Sequence, residues 1–180
     1  GTSHRKHSST YELPQLFHGK CAAGFLVDKE IAFLGNVFER PKRPFFAIIG
    51  GSKISTKIGL IRNLIDKVDG IFIGGGMYYT ILKANGQKIG DSIVEDEELE
   101  NAKEIVKACS LKAVKLWLPS DLLIADSFDN EAKTEIISAK DAIPDGWQDV
   151  TTGTKTTSDW QKAHHTAQTI IWTGPIGVFA

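Results

Sequence analysis

Two glycine-rich turns, each following a run of apolar residues, constrain the fold of this chain more than any other feature. The first turn, residues 50–53 (GGSK), follows the apolar residues 45–49, and the second, residues 74–76 (GGG), follows residues 71–73. An apolar run that stops at glycine and continues as a helix is typical of an α/β fold. Glycine lets backbone N–H groups approach a phosphate closely, and a helix N-terminus behind the turn adds partial positive charge. The turns therefore predict an α/β fold with a site for an anionic, phosphorylated ligand.

The pattern along the chain predicts one long helix followed by alternating strands and helices. Residues 20–40 carry apolar side chains at helical spacing, and Pro41 ends this run. From residue 45 onward the alternation indicates a doubly wound, mostly parallel sheet with right-handed crossovers, and both glycine turns should lie at its carboxyl edge. The polar residues 129–153 are expected to be irregular, and Ser158 is expected to cap a helix over residues 158–167.

Two lysines, Lys53 and Lys57, follow the first pair of glycines. On a helix that starts near Lys53 they would share one face at its N-terminal end. Two ammonium groups so placed repel each other unless an anion lies between them, so the spacing fits a phosphate site and equally fits two solvated surface lysines. Neither the GxxxxGK[ST] pattern nor GxGxxG matches this turn, and the absence of GxGxxG disfavours an NAD-dependent dehydrogenase.

Charge and composition exclude several other classes of protein. A net charge of −1 gives no general attraction for nucleic acid or membranes. No apolar run approaches the ~20 residues that cross a bilayer. Cys21 and Cys109 have no metal-binding spacing, so we predict no metal site within the chain and reduced thiols. Because the chain begins at Gly1 and stops directly after a motif at Ala180, we expect it to be a piece of a longer protein.

Several motifs resemble phosphoglycerate kinases in their order and spacing. They are residues 43–58, 68–77, 118–121 and 172–179. Residues 1–9 resemble the segment before the interdomain helix of that family, and residues 23–30 resemble the start of the helix. The resemblance covers essentially all 180 residues. It implies three parts: a remnant of the N-terminal phosphoglycerate-binding domain (1–19), the interdomain helix (20–40) and a Rossmann-like nucleotide-binding domain that is incomplete at its C-terminus (41–180).

The resemblance also implies a function. The parent enzyme would transfer a phosphoryl group reversibly between 1,3-bisphosphoglycerate and Mg-ADP, giving 3-phosphoglycerate and Mg-ATP, in cytoplasmic or plastid carbon metabolism. It is expected to be a monomer that uses Mg²⁺. The chain lacks the family's early substrate-binding strands and its C-terminal Gly-Gly-Asp loop, so by itself it is expected to bind nucleotide weakly without turnover. The alternative is a nucleotide-binding module or remnant without catalysis.

Individual residues take their expected roles from the same resemblance. Lys53 and Lys57 match the lysines that face the nucleotide phosphates during transfer. His4 and Arg5 match the last members of the basic patch that binds phosphoglycerate, and the alternative for both is a solvated basic terminus. The remaining residues implied in nucleotide binding are Gly51, Ser52, Gly75, Gly76, Ile93, Thr173, Pro175, Gly177 and Val178.

The chain also departs from the family pattern. Thr173 stands where the family usually has Asn, and Ala180 stands where a Glu usually holds the ribose hydroxyls. Residues 146–154 (GWQDVTTGT) replace a more usual GWMGLDIGP. These departures fall on the expected contacts with adenosine. Asp121 follows the residues Leu-Pro-Ser, and we expect its carboxylate to satisfy backbone donors in a turn rather than line the nucleotide site.

Overall fold

The computed structural model describes residues 5–178, which divide into two compact units, Gly1–Pro41 and Lys42–Ala180. The first unit contains a π-helical turn at Ser8–Glu12, a short helix α1 at Leu13–Gln15 and the long helix α2 at Phe25–Glu39. Helix α2 starts later than the predicted residue 20, because the backbone at Gly24 is extended. None of the side chains of α2 is buried.

The second unit is built on a parallel sheet of four strands, as predicted. Its strands are β1 (Phe45–Ile49), β2 (Gly70–Ile73), β3 (Lys115–Trp117) and β7 (Thr169–Thr173). Their order is β3-β2-β1-β7, and each neighbouring pair is parallel. All residues of β1 and β2 are buried, which agrees with their continuous apolar sequence and with helices covering both faces.

The helices of this unit are distributed over both faces of the sheet. They are α3 (Ile58–Ile65), α4 (Gly76–Ala84), α5 (Leu99–Leu111, preceded by a 3₁₀ turn at Asp96–Glu98) and α6 (Thr154–His164). The chain moves from β1 to β2 to β3 in one direction and then back across the sheet to β7. Right-handed crossovers therefore place α6 on the face opposite α3 and α5. On the α6 face, Trp160 packs with Phe46, Ile48 and Phe72, so the doubly wound fold is confirmed.

A second, antiparallel sheet lies in the segment that leads from β3 to α6. It contains β4 (Asp121–Ala125), β5 (Thr134–Ser138) and β6 (Gln148–Thr152) in the order β5-β4-β6. The prediction that residues 129–153 are irregular is therefore wrong. Strand β5 is mostly exposed and β6 mostly half-buried, so their sequences lack an apolar pattern, and pairing with the buried strand β4 makes them strands.

Asp121 caps α6 from a distant position in the chain. Its carboxylate accepts hydrogen bonds from the backbone N–H groups of Lys155 at 2.9 Å and Thr156 at 2.7 Å. Burial works against ionisation, but these bonds and the Thr156 hydroxyl lower the pKa of Asp121. Asp121 thus satisfies backbone donors as expected, but these donors lie at the start of α6 rather than in a turn. The predicted cap at Ser158 is wrong, because α6 begins at Thr154 after Gly153. Within residues 5–178, the helices lack the combined length and apolar character needed to cross a membrane.

Candidate functional site

The two glycine turns meet at the carboxyl edge of the parallel sheet, as predicted. Strands β1 and β2 are parallel neighbours, so the turns that follow them lie side by side. A Cβ atom added to Gly75 would lie 2.9 Å from the carbonyl oxygen of Gly51, and one added to Gly76 would lie 2.3 Å from that of Ser52. Gly75 also has a φ of 68°, which favours glycine. Any larger side chain would therefore force the two turns apart.

The segment after β7 joins these turns. The Gly50 N–H donates to the carbonyl of Thr173 at 2.9 Å, and a Cβ on Gly50 would lie only 2.0 Å from the carbonyl oxygen of Pro175. Farther along, the Val178 N–H donates to the carbonyl of Val150 in β6 at 2.8 Å. The antiparallel sheet thus holds the end of this segment, and three loops from adjacent parallel strands converge at one edge.

A cleft of about 450 Å³ opens between these loops. Its lining includes most of the residues predicted to contact a nucleotide, namely Gly51, Ser52, Gly75, Gly76, Ile93, Pro175, Gly177 and Val178. The side chains of Ile93 and Val178 are about half exposed, so the cleft offers apolar surface to a ligand. Sequence reasoning missed four further lining residues, Tyr79, Phe128, Gln148 and Asp149. Two of these lie on β6, in the segment that was predicted to be irregular.

The lysines take different positions from those predicted. Helix α3 begins at Ile58, so Lys53 lies in the preceding turn and Lys57 at the N-cap, and the predicted shared helix face is wrong. Lys53 is exposed, whereas Lys57 is half-buried. The Lys57 ammonium donates a hydrogen bond to the hydroxyl of Thr173 at 2.9 Å. Lys57 therefore reaches from the first turn to the end of β7, beside the cleft rather than in its lining.

Asp149 is a buried acid at the edge of this cleft. Only 6% of its surface is exposed. The Thr151 N–H donates to its carboxylate at 3.2 Å, and the Tyr79 hydroxyl donates to its backbone carbonyl at 3.3 Å. Burial raises the pKa of Asp149 to about 7, although hydrogen bonds from Tyr79, Thr151 and Val150 oppose this shift. The family pattern usually has Gly at this position, and that departure was the only signal in the sequence.

Arg5, one of the two residues predicted to bind phosphoglycerate, belongs to the first unit. Arg5 is exposed there, and its carbonyl accepts a hydrogen bond from the His7 N–H at 2.9 Å. His4 lies outside the described residues. The assignment of both residues to a basic substrate patch stays a prediction.

Comparison with known proteins gives the family. The family model for phosphoglycerate kinase matches residues 1–180. The chain belongs to the phosphoglycerate kinase family. A phosphoglycerate kinase of Clostridium novyi is 47% identical over 180 residues, which covers 99% of this chain and 44% of that protein. A chloroplastic phosphoglycerate kinase of Volvox carteri is 46% identical over 179 residues, which covers 99% of this chain and 38% of the relative.

Solved phosphoglycerate kinases share the fold. The structure from Coxiella burnetii has a TM-score of 0.83 at 41% identity, and the match covers 87% of this chain and 40% of that one. The enzyme from Pyrococcus horikoshii has a TM-score of 0.78 at 20% identity, with 99% of this chain and 45% of that one covered, and shows likeness of fold alone. The chain spans less than half the length of the phosphoglycerate kinases that it matches.

Proposed function

We propose that this chain is the nucleotide-binding part of a phosphoglycerate kinase. The full-length protein would transfer a phosphoryl group reversibly between 1,3-bisphosphoglycerate and ADP, giving 3-phosphoglycerate and ATP. The observation that carries the proposal is the convergence of the loops after β1, β2 and β7 around one cleft, in a chain that belongs to this glycolytic family. Its volume of about 450 Å³ is within the usual range for small-molecule sites.

The shape of the cleft supports one orientation of the nucleotide. Ile93 and Val178 offer apolar contacts for the base, and Gly75 and Gly76 line the cleft without side chains that would obstruct it. The phosphates would then extend from Ser52 toward the lysines of the first turn. Phosphoryl transfer depends on positioning and on neutralising spread negative charge, and lysine ammonium groups supply both. We therefore assign both catalysis and phosphate binding to Lys53 and Lys57, and we expect Lys57 to act mainly on the transferring phosphoryl group.

The proposed Mg²⁺ ion would be held largely by the nucleotide. The described residues contain no group of three or more His, Cys, Asp or Glu side chains that could hold a metal ion. Mg²⁺ usually keeps several waters and binds through few carboxylates together with substrate phosphates. We therefore propose that the ion enters this site with ADP or ATP, and that this chain itself contributes the positive charges of its lysines.

The remaining assignments follow the family. We propose that His4 and Arg5 belong to the phosphoglycerate-binding patch of the full-length protein. Bacterial and chloroplastic relatives favour the cytoplasm or a plastid as its compartment, and we propose a monomer that binds neither nucleic acid nor membranes. The competing proposal, a nucleotide-binding module without catalysis, predicts the same cleft but no phosphoryl transfer by the full-length protein.

Calorimetric titration of the chain with Mg-ADP tests the site. We expect weak, saturable binding to one site. Gly76→Ala should weaken it at least tenfold, because the new methyl group would collide with the Ser52 carbonyl. Gly59→Ala is the matched control, since nothing lies within 4 Å of a Cβ at Gly59. Circular dichroism would establish that each variant folds. Equal binding by both variants, or no binding by the unmodified chain, would contradict the proposed site.

A further inference from the structure

Glu95 connects the lysine-bearing turn to another loop of the cleft. Its carboxylate accepts two hydrogen bonds from Ser55, one from the backbone N–H at 2.9 Å and one from the hydroxyl at 2.6 Å. Ser55 lies midway between Lys53 and Lys57 in the sequence, and Glu95 lies two residues after Ile93, which lines the cleft. One side chain therefore ties the turn after β1 to the segment after α4.

The surroundings of Glu95 keep its carboxylate ionised and connect its backbone to a buried helix. Partial burial works against ionisation, but the hydrogen bonds from Ser55 and Ile54 and the nearby charge of Lys53 lower the pKa of Glu95. The carboxylate therefore stays ionised at neutral pH and acts as a strong acceptor. On the other side, the N–H of Glu95 lies 3.5 Å from the hydroxyl of Thr80, a buried residue of α4. The contact thus links an exposed turn to the core of the unit.

Glu95 also occupies two hydrogen-bond donors of Ser55, its N–H and its hydroxyl, which a ligand could otherwise contact. Residues 54–57 form a turn that leads into α3, and within it the Lys57 N–H donates to the Ile54 carbonyl at 2.8 Å. Since Glu95 satisfies the N–H of Ser55, the conformation of this turn depends on a residue 40 positions away. The backbone conformation between the two lysines is therefore fixed before any ligand binds, which lowers the entropy cost of placing their ammonium groups.

We propose that Glu95 is a positioning residue, which holds residues 53–57 so that Lys53 and Lys57 face the phosphates of a nucleotide whose base lies against Ile93. This inference rests on the proposed function. Glu95 does not touch the nucleotide, and it acts through Ser55.

The test compares ADP with adenosine, which lacks the phosphates, by titration of the intact chain. Glu95→Ala should weaken ADP binding about tenfold, because the lysines lose their fixed backbone, while adenosine affinity stays within about twofold. Glu95→Gln should restore most of the ADP affinity, since its amide oxygen can accept from the Ser55 N–H and its amide nitrogen can donate to the hydroxyl. Ser55→Ala keeps the backbone N–H bond to Glu95 and loses the hydroxyl bond. Its ADP affinity should therefore lie between those of Glu95→Ala and Glu95→Gln.

The control is Glu97→Ala, which removes a nearby exposed negative charge of the 3₁₀ turn and should leave ADP affinity unchanged. A parallel loss of ADP and adenosine affinity in Glu95→Ala, unchanged ADP affinity, or a Gln variant as weak as the Ala variant would overturn the positioning role. Failure of the unmodified chain to bind either ligand would instead refute the proposed function. Hydrogen exchange at the Ser55 amide, expected to accelerate in Glu95→Ala and not in Glu97→Ala, tests the contact independently of binding.

Discussion

Replacing Lys57 with alanine in the full-length protein should lower kcat on the order of 10²-fold or more, with a smaller loss of Mg-ADP affinity. Lys57 is half-buried, and its ammonium is held at 2.9 Å from the Thr173 hydroxyl, beside the turns that border the cleft. We expect a fixed charge there to stabilise the transferring phosphoryl group more than the phosphates already present in ADP. Steady-state kinetics with varied Mg-ADP would separate the effect on kcat from that on KM.

Two comparisons sharpen this prediction. Lys53→Ala should weaken nucleotide binding more evenly, because we place the exposed Lys53 nearer the phosphates of ADP. Thr173→Val removes the hydrogen-bond partner of Lys57 but leaves its charge, so it should cost less than Lys57→Ala. Lys107→Ala, at an exposed position of α5, is the control for loss of a positive charge. If Lys57→Ala had the kinetics of the unmodified enzyme, Lys57 would be a solvated lysine and its catalytic assignment would be wrong.

The Asp149→Asn variant should be more stable than the unmodified chain above pH 7 and nearly equal to it near pH 4. Burial raises the pKa of Asp149 from 3.8 to about 7, so the folded state keeps a proton that the unfolded state releases between these values. Stability therefore falls as the pH rises from about 4 to about 7, and above pH 7 the full cost of the buried charge remains. That cost is up to about 4 kcal/mol, and asparagine removes it because it does not ionise.

Urea unfolding of the unmodified chain and Asp149→Asn from pH 4 to pH 8 would measure this difference. The exposed Asp145 lies in the same segment, and Asp145→Asn serves as the control that should not change the shape of the pH profile. A stability difference between the Asp149 variant and the unmodified chain that stays constant across this range would show that burial does not perturb the carboxyl of Asp149.

The sequence predicted those features of the fold that depend on local pattern. The parallel sheet follows from short apolar runs that alternate with amphipathic segments. The glycines that follow two of these runs marked the turns at its carboxyl edge, where only glycine allows the contact between Gly76 and Ser52. Strands β5 and β6 were missed because their pairing with β4 comes from the tertiary fold and leaves little apolar pattern. The start of α6 was missed because its cap, Asp121, is 34 residues away from Lys155.

The site shows the same division between local and distant contacts. The glycine pattern pointed to Gly51, and the family resemblance pointed to Ile93, as residues that contact the nucleotide, and both line the cleft. The shared helix face of Lys53 and Lys57 was wrong, since the turn between them is held by Glu95, a partner that no spacing within the turn indicates. The burial of Asp149 likewise depends on where β6 pairs, and its polar segment gave no sign of it beyond the departure from the family's Gly.

The most direct test of the nucleotide site is an ¹H–¹⁵N correlation spectrum of the isotope-labelled chain during titration with Mg-ADP. The largest shift changes should occur at backbone amides that border the cleft, those of Gly51, Ser52, Gly75, Gly76 and Ile93. Amides near Lys107 on α5 should move little. Saturable changes confined to the amides around the cleft are the predicted result, whereas changes centred elsewhere, or none at saturating Mg-ADP, would contradict the assignment of this cleft as the nucleotide site.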